Sequence, residues 1–280
     1  MTSESLSNLL NETRTFPPTP EFAKQANAKI EMYDEAERDR LTFWEKQGSF
    51  LHWHKKWDQV LDWKPPFAKW FVGGRLNACY NALDRHVLEG RGNRVAFYFE
   101  GEPGDTKTFT YAELLTLVKK AANALTSIGI KDGDRVAIYM PMIPEAVIAM
   151  LACARIGATH SVVFGGFSAD SLFARIQDAE AKLVITADGG FRKGNPLGLK
   201  SIVDDALKNV TPVEKVLVVK RTGQEIPMGS RDIWWHDLVD KQSPEHEAQD
   251  FDSEHSLFIL YTSGTTAKPK GIHQIGRAHV

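Results

Sequence analysis

Residues 135–164 read RVAIYM-PMI-PEAVIAMLACARI-GA-THSVVF, and this stretch decides the fold. A short β-branched run, Arg135–Met140, is followed by a helix-period segment, Pro144–Ile156, and by a second β-branched run, Thr159–Phe164. Pro144 suits the first turn of a helix, and Gly157 suits its end. Two apolar strands joined by a helix predict a β-α-β unit, in which the strands lie parallel and helices cover the sheet.

The same alternation continues on both sides of this unit. We predict further strands at residues 95–99, 182–186, 215–220 and 256–261. We predict further helices at residues 111–127, 169–179 and 199–209. The fold class is therefore α/β, with a mostly parallel, helix-covered sheet and a helical segment in front of it. Ligands of such sheets bind at the carboxyl ends of the strands, so the loops that follow strands are the candidate sites.

The charge balance bears on the class of partner. The chain has 280 residues with 34 basic and 36 acidic side chains, which give a net charge of -2. Proteins that bind the nucleic-acid backbone usually carry a clearly basic surface, which this balance does not indicate. Five of the seven tryptophans lie between residues 44 and 70, interleaved with lysines. They could stack single-stranded nucleic acid or bury area where an N-terminal extension packs on a main domain. The overall charge favours packing, and we expect no nucleic-acid partner.

The two cysteines and the apolar runs bear on location. Cys79 and Cys153 are far apart and form no CxxC pair, so we expect neither a disulfide framework nor a metal site. A reducing, cytoplasmic location follows as an expectation. Residues 143–156, the most apolar stretch, are interrupted by Glu145 and Arg155 and are too short to cross a bilayer. We therefore expect no membrane partner.

The loop after residues 256–261 has the composition of a phosphate-binding segment. Small residues let backbone N–H groups approach an anion, and hydroxyl and ammonium groups add donors and charge. The candidate residues are Thr262, Ser263, Gly264, Thr265, Thr266, Lys268, Lys270 and Gly271. A surface turn with solvated lysines is the alternative. The Walker pattern GxxxxGKS/T is excluded, because Pro269 stands at its second glycine and Gly271 at its final hydroxyl.

Residues 261–271, YTSGTTAKPKG, resemble the signature loop Y-T-S-G-S/T-T-G-x-P-K-G of the AMP-forming acyl-CoA synthetases in the adenylate-forming superfamily. Ala267 replaces the usual second glycine, which costs about 1 kcal/mol if that position needs a positive φ. Four upstream segments, WFVGGRLN (70–77), YNALDRH (80–86), YMPMIPE (139–145) and HSVVFGGFS (160–168), resemble blocks of the acetyl-CoA synthetase branch. The resemblance extends over about residues 21–271.

The resemblance implies an AMP-forming acetate–CoA ligase that uses acetate, ATP, CoA and Mg²⁺. It assigns the eight loop residues to the phosphates of ATP. It assigns Arg192, Lys193, Gly194 and Asn195, with Gly165 and Gly166, to CoA, although Asn195 replaces the second arginine of an Arg-x-Gly-Arg loop. A solvated basic turn and a tight strand-to-helix turn are the alternatives for these two segments. His160 and His236 are interpreted as structural, because acetate is already ionised at pH 7 and needs no general base.

Composition and the resemblance together imply a domain plan, with the arm taken from the polar, proline-rich composition of the first residues. Residues 1–20 form a flexible arm, 21–90 an N-terminal extension, 91–274 the first, truncated part of an AMP-binding domain, and 275–280 a non-native tail that resembles a translated sequencing adapter. The catalytic lysine, the acyl and adenine pockets and the target of a regulatory deacetylase are expected further on, so we expect the isolated chain to be inactive. Two alternatives stay open: a propionyl- or other short-chain acyl-CoA synthetase, and a non-catalytic nucleotide-binding stub.

Overall fold

The computed structural model describes residues 14–262 and 269–275, and it divides into two compact units, Met1–Gln47 and Gly48–Val280. The first unit is helical, with α1 (Pro20–Gln25), α2 (Ile30–Arg38) and α3, whose bounds are Arg40–Gly48. Pro20, predicted within a flexible arm, instead opens α1, where its missing N–H costs nothing. The Thr19 hydroxyl caps this helix by accepting from the Phe22 N–H at 3.3 Å.

A sheet of seven strands dominates the second unit. The strands are β6 (Arg135–Met140), β7 (Thr159–Phe164), β8 (Leu183–Ala187), β11 (Lys215–Val219), β12 (Asp232–Trp234), β14 (Ser256–Thr262) and β15 (Lys270–Ile275). Their spatial order is β12-β11-β8-β6-β7-β14-β15, and all neighbouring pairs are parallel except β14 and β15, which are antiparallel. The predicted α/β class with a mostly parallel sheet is confirmed.

Helices cover the sheet: α4 (Tyr111–Ser127), α5 (Pro144–Ile156), α6 (Ala169–Ala179), α7 (Lys200–Ala206) and α8 (Trp235–Val239). Of these, α5, α6 and α7 connect parallel strands. The side chains of Thr110 and Glu113 form a reciprocal capping box at the start of α4. Helix α5 ends at Gly157, whose φ of 77° is in the left-handed region. The helix predicted at residues 199–209 is shorter in the structure, where α7 begins at Lys200 and ends at Ala206.

The hydrophobic core lies around the central strands. Every residue of β8 and all but the first residue of β6 and β11 are buried, as expected of strands covered on both faces. Small and aliphatic side chains of α4 and α5, such as Ala121, Leu125 and Ala149, pack against them. None of the helices in the described part of the chain has the length and apolarity needed to span a membrane.

Four short antiparallel ribbons flank this sheet: β1 (Gln59–Lys64) with β2 (Phe67–Val72), β3 (Arg75–Leu76) with β13 (Phe251–Asp252), β4 (Val95–Glu100) with β5 (Thr106–Thr110), and β9 (Gly189–Arg192) with β10 (Asn195–Gly198). Helical turns with the wide π pattern occupy Tyr80–Asp84 and Val87–Arg91. Strand β4 was expected in the main sheet. It pairs with β5 instead, because its side chains are at most partly buried and so do not match the covered central strands.

Part of the tryptophan cluster packs as the structural interpretation predicts. Trp53 and Trp57 lie with ring centroids 4.9 Å apart, and Phe71 contacts both rings. The Trp53 indole N–H donates to the carbonyl of Gly48 at 2.8 Å. Trp63, in β1, is exposed instead.

Candidate functional site

A cavity of about 570 Å³ opens where β6 and β7 end, beside the ribbon that follows β8. Its lining includes Met140, Ile143, Gly165, Gly166, Arg192 and Leu260. The volume lies in the range of small-molecule sites, which are mostly apolar with a few placed polar groups. The structure therefore brings the two glycines and one of the predicted basic residues to the same cavity.

Tyr139 of β6 holds the turn at Gly165 and Gly166 through its hydroxyl group. The buried Tyr139 hydroxyl donates to the carbonyl oxygens of Phe167, at 2.7 Å, and Gly165, at 3.3 Å. Burial raises the pKa of this hydroxyl, so it stays a donor. A Cβ on Gly166 would lie 2.5 Å from the Phe164 ring and 3.0 Å from Arg192 Nη1. Glycine at position 166 therefore lets the guanidinium approach the turn.

The predicted basic loop is the tip of the β9–β10 ribbon, in which Arg192 pairs with Asn195. Lys193 and Gly194 both have positive φ, 52° and 76°, as a two-residue hairpin turn requires. Arg192 lines the cavity, whereas Lys193, Gly194 and Asn195 form the exposed tip and are not among its lining residues. The Asn195 side chain donates to the Lys193 carbonyl at 3.2 Å.

A buried carboxylate, not predicted from the sequence, fixes the base of this ribbon. Asp188 accepts from the backbone N–H groups of Gly189, Arg221 and Gly223 at 2.7 Å each, and from that of Thr222 at 3.0 Å. These four N–H donors satisfy the buried carboxylate. Asp188 thus joins the end of β8 to the loop after β11. Its position directly after a buried strand was the one available sequence signal.

Arg221 packs on the same ribbon and was also missed. Its guanidinium donates both Nη groups to Asp105, at 2.6 and 2.8 Å, and lies 5.3 Å from the Phe191 ring centroid. These bonds raise the pKa of Arg221 and lower that of Asp105. The two-pronged pair ties the β4–β5 connection to the wall of the cavity.

Arg175 of α6 connects two of the loops. Its guanidinium lies 4.6 Å from the ring centroid of Phe167 and 5.3 Å from that of Tyr261. The Tyr261 hydroxyl donates to Asp178 Oδ2 at 2.7 Å. Burial, together with the Asp178 carboxylate, raises the pKa of Tyr261. Arginine between two aromatic rings is a stabilising arrangement, and it holds the glycine turn beside the end of β14.

The predicted phosphate loop joins β14 to β15. Thr262 and Lys270 are exposed and pair directly across this hairpin, and Gly271 pairs with Tyr261. Ser263, Gly264, Thr265, Thr266, Ala267 and Lys268 lie outside the described residues. A strand follows the loop here, whereas a helix follows the Walker loop, and this agrees with the exclusion made from the sequence.

Both histidines considered as bases lie outside the cavity lining. His160 is buried with its ring 5.6 Å from that of Phe258, and His236 lies on α8. Cys79 and Cys153 are free and buried, and burial raises the pKa of each thiol to about 12. Within residues 14–262 and 269–275, no group of three or more His, Cys, Asp or Glu side chains is placed to hold a metal ion.

Comparison with known proteins identifies the family. The sequence pattern of the AMP-binding enzymes matches residues 83–275, more than half of the chain. The chain belongs to the AMP-binding enzyme family. The part before this AMP-binding region, residues 30–82, matches the pattern of the acetyl-coenzyme A synthetase N-terminus.

Several curated members of the AMP-binding family are similar to this chain. The acetyl-coenzyme A synthetase of Streptomyces avermitilis is 62% identical over 274 residues, which are 97% of this chain and 42% of the relative. That of Mycobacterium tuberculosis is 60% identical over 263 residues, 92% of this chain and 40% of the relative. That of Deinococcus radiodurans is 53% identical over 278 residues, which are 96% of this chain and 42% of the relative. The chain therefore spans 40–42% of the length of these three relatives.

Proposed function

We propose that the protein to which these residues belong is an AMP-forming acetate–CoA ligase. An acetate oxygen attacks the α-phosphorus of ATP, and pyrophosphate leaves. The CoA thiol then releases its proton to solvent and its sulfur attacks the acetyl carbonyl, so that acetyl-CoA forms and AMP leaves. The observation that supports this best is the pairing of Thr262 with Lys270 across a hairpin that carries the signature loop, beside a cavity that holds Arg192.

The phosphate side of the proposal rests on charge. Pyrophosphate leaves more easily when cations and N–H donors neutralise the charge that develops on it. Lys270 and the Thr262 hydroxyl are at the two ends of the proposed loop, and Ser263, Gly264, Thr265, Thr266, Lys268 and Gly271 are its proposed further members. Mg²⁺ would supply further positive charge at the phosphates. The described residues offer it no cluster of carboxylates, so we assign it no step.

The CoA side of the proposal rests on the shape and lining of the cavity. Apolar side chains such as Met140, Ile143 and Leu197 suit the uncharged pantetheine arm, while the Arg192 guanidinium suits a phosphate. Lys193, Gly194 and Asn195 would meet the nucleotide end at the ribbon tip. Neither histidine is needed, since acetate is ionised at neutral pH and requires no base.

The location and the domain plan are proposals of the same kind. The two buried free thiols support a reducing, cytoplasmic location. We propose residues 21–90 as the extension and 91–274 as the first part of the AMP-binding domain. A regulatory deacetylase, if one acts on this protein, would act on residues outside this chain.

A chimeric enzyme tests the proposed function. Residues 1–275 would replace the matching part of the Streptomyces avermitilis relative, which is 62% identical to this chain. We expect the chimera to show acetate-dependent exchange of pyrophosphate into ATP and CoA-dependent release of AMP, and the isolated chain to show neither. A chimera that unfolds cooperatively yet lacks the exchange would contradict the proposal, and turnover by the isolated chain would contradict the expected inactivity.

A further inference from the structure

The tip of the Arg192 ribbon already binds a carboxylate. The Gly194 N–H donates to Glu102 Oε1 at 2.6 Å, although the two residues are 92 positions apart in the chain. Glu102 is exposed and lies in the β4–β5 connection. The donor at the ribbon tip, where we place an anionic ligand, therefore holds an anion supplied by the protein itself.

The charges on the cavity wall oppose an anionic ligand as well. Glu100, Glu102, Arg192 and Arg221 all line the cavity. Asp105 balances the Arg221 charge, which leaves two carboxylates and one guanidinium, that of Arg192, as the other charges in the lining. CoA carries a 3′-phosphate and a diphosphate and would enter against this wall. The carboxylates and the phosphate groups carry like charges and repel each other, most strongly at low salt.

We infer that Glu102 is a specificity-determining residue that competes with the phosphate groups of CoA for the tip of the β9–β10 ribbon. The inference rests on the proposed CoA site. CoA binds fully only when the Glu102–Gly194 hydrogen bond is broken and the carboxylate leaves. A carboxylate that only held the ribbon in place would have the opposite effect, because its removal would weaken CoA binding.

The test is a titration of the 280-residue chain with CoA, 3′-dephospho-CoA and pantetheine by calorimetry at low and high salt. Glu102→Gln removes the charge and keeps the size of the side chain. It is expected to lower the Kd for CoA about fivefold at low salt, the effect of one like charge about 4 Å away in water. The gain shrinks with dephospho-CoA and at high salt, and it disappears with pantetheine, which has no phosphate.

Glu180→Gln is the matched control, because its exposed carboxylate pairs with Arg135 at the other end of the strands. It is expected to leave all three affinities unchanged, and thermal unfolding confirms that each variant is folded. A Glu102→Gln chain that binds CoA no better than the wild type, or that gains equally for pantetheine, overturns the inference alone. Failure of the wild type and both variants to bind CoA overturns the proposed CoA site, and the inference with it.

Discussion

Arg155→Met is expected to destabilise the second unit more than any exposed substitution. The Arg155 side chain is 1% exposed and donates to both oxygens of Asp84, at 2.7 and 3.0 Å, and to the His246 carbonyl at 2.6 Å. Methionine keeps most of the stem but leaves the Asp84 carboxylate buried without its partner. Breaking a buried pair in this way costs about 3–5 kcal/mol of unfolding free energy.

Urea unfolding followed by tryptophan fluorescence measures this loss by linear extrapolation. The double variant Arg155→Met with Asp84→Leu removes both charges and is expected to recover at least about 2 kcal/mol of it. Arg135→Met, which breaks a partly exposed pair with Glu180, serves as the control and costs less than about 1 kcal/mol. An Arg155→Met loss below about 1 kcal/mol, or no recovery in the double variant, would refute the reasoning.

Two further predictions concern a partly buried histidine and a buried aspartate. Burial, and then the charge of Arg155, lower the pKa of His246 below its ordinary value near 6.5, so the unfolded chain binds a proton first as the pH falls. The contribution of His246 to stability is therefore fully present above about pH 6.5 and is lost as the pH falls below it. His246→Asn should reduce the pH dependence of the urea midpoint between about pH 7.5 and 5.5, and an unchanged slope of midpoint against pH would contradict this. Asp188→Asn places an amide among four N–H donors and is expected to lower the unfolding free energy by about 1–3 kcal/mol in the same assay. It is also expected to weaken CoA binding. Unchanged affinity for CoA in a folded variant would show that Asp188 does not position the ribbon.

The central layers of the fold could be predicted because their sequence signals are local. The structure gives the predicted bounds for strands β6 and β7 and for helices α4 and α5. Their signals, such as Pro144 at the start of α5 and Gly157 at its end, determine the backbone conformation of the residues that carry them. Strand β4 was assigned to the wrong sheet, because an apolar run does not reveal its pairing partner.

The site divides in the same way. Arg192, Gly165 and Gly166 were predicted from the sequence, and the structure places them at one cavity. Asp188 and Arg155 were missed as structural anchors, because three of the four donors to Asp188 lie 33–35 positions away and Asp84 lies 71 positions from Arg155. No local pattern encodes such bonds. The phosphate assignment of residues 263–268 stays a prediction.

The most direct test of the account is the effect of Arg192→Ala on the two half-reactions of the chimera. If the β9–β10 ribbon serves CoA alone, the KM for CoA should rise at least about tenfold, the effect of losing one charged hydrogen bond to a phosphate. Acetate-dependent pyrophosphate exchange, which needs no CoA, should stay within about twofold of the unsubstituted chimera. An equal loss in both half-reactions, or an unchanged KM for CoA, would contradict the assignment of this cavity to CoA.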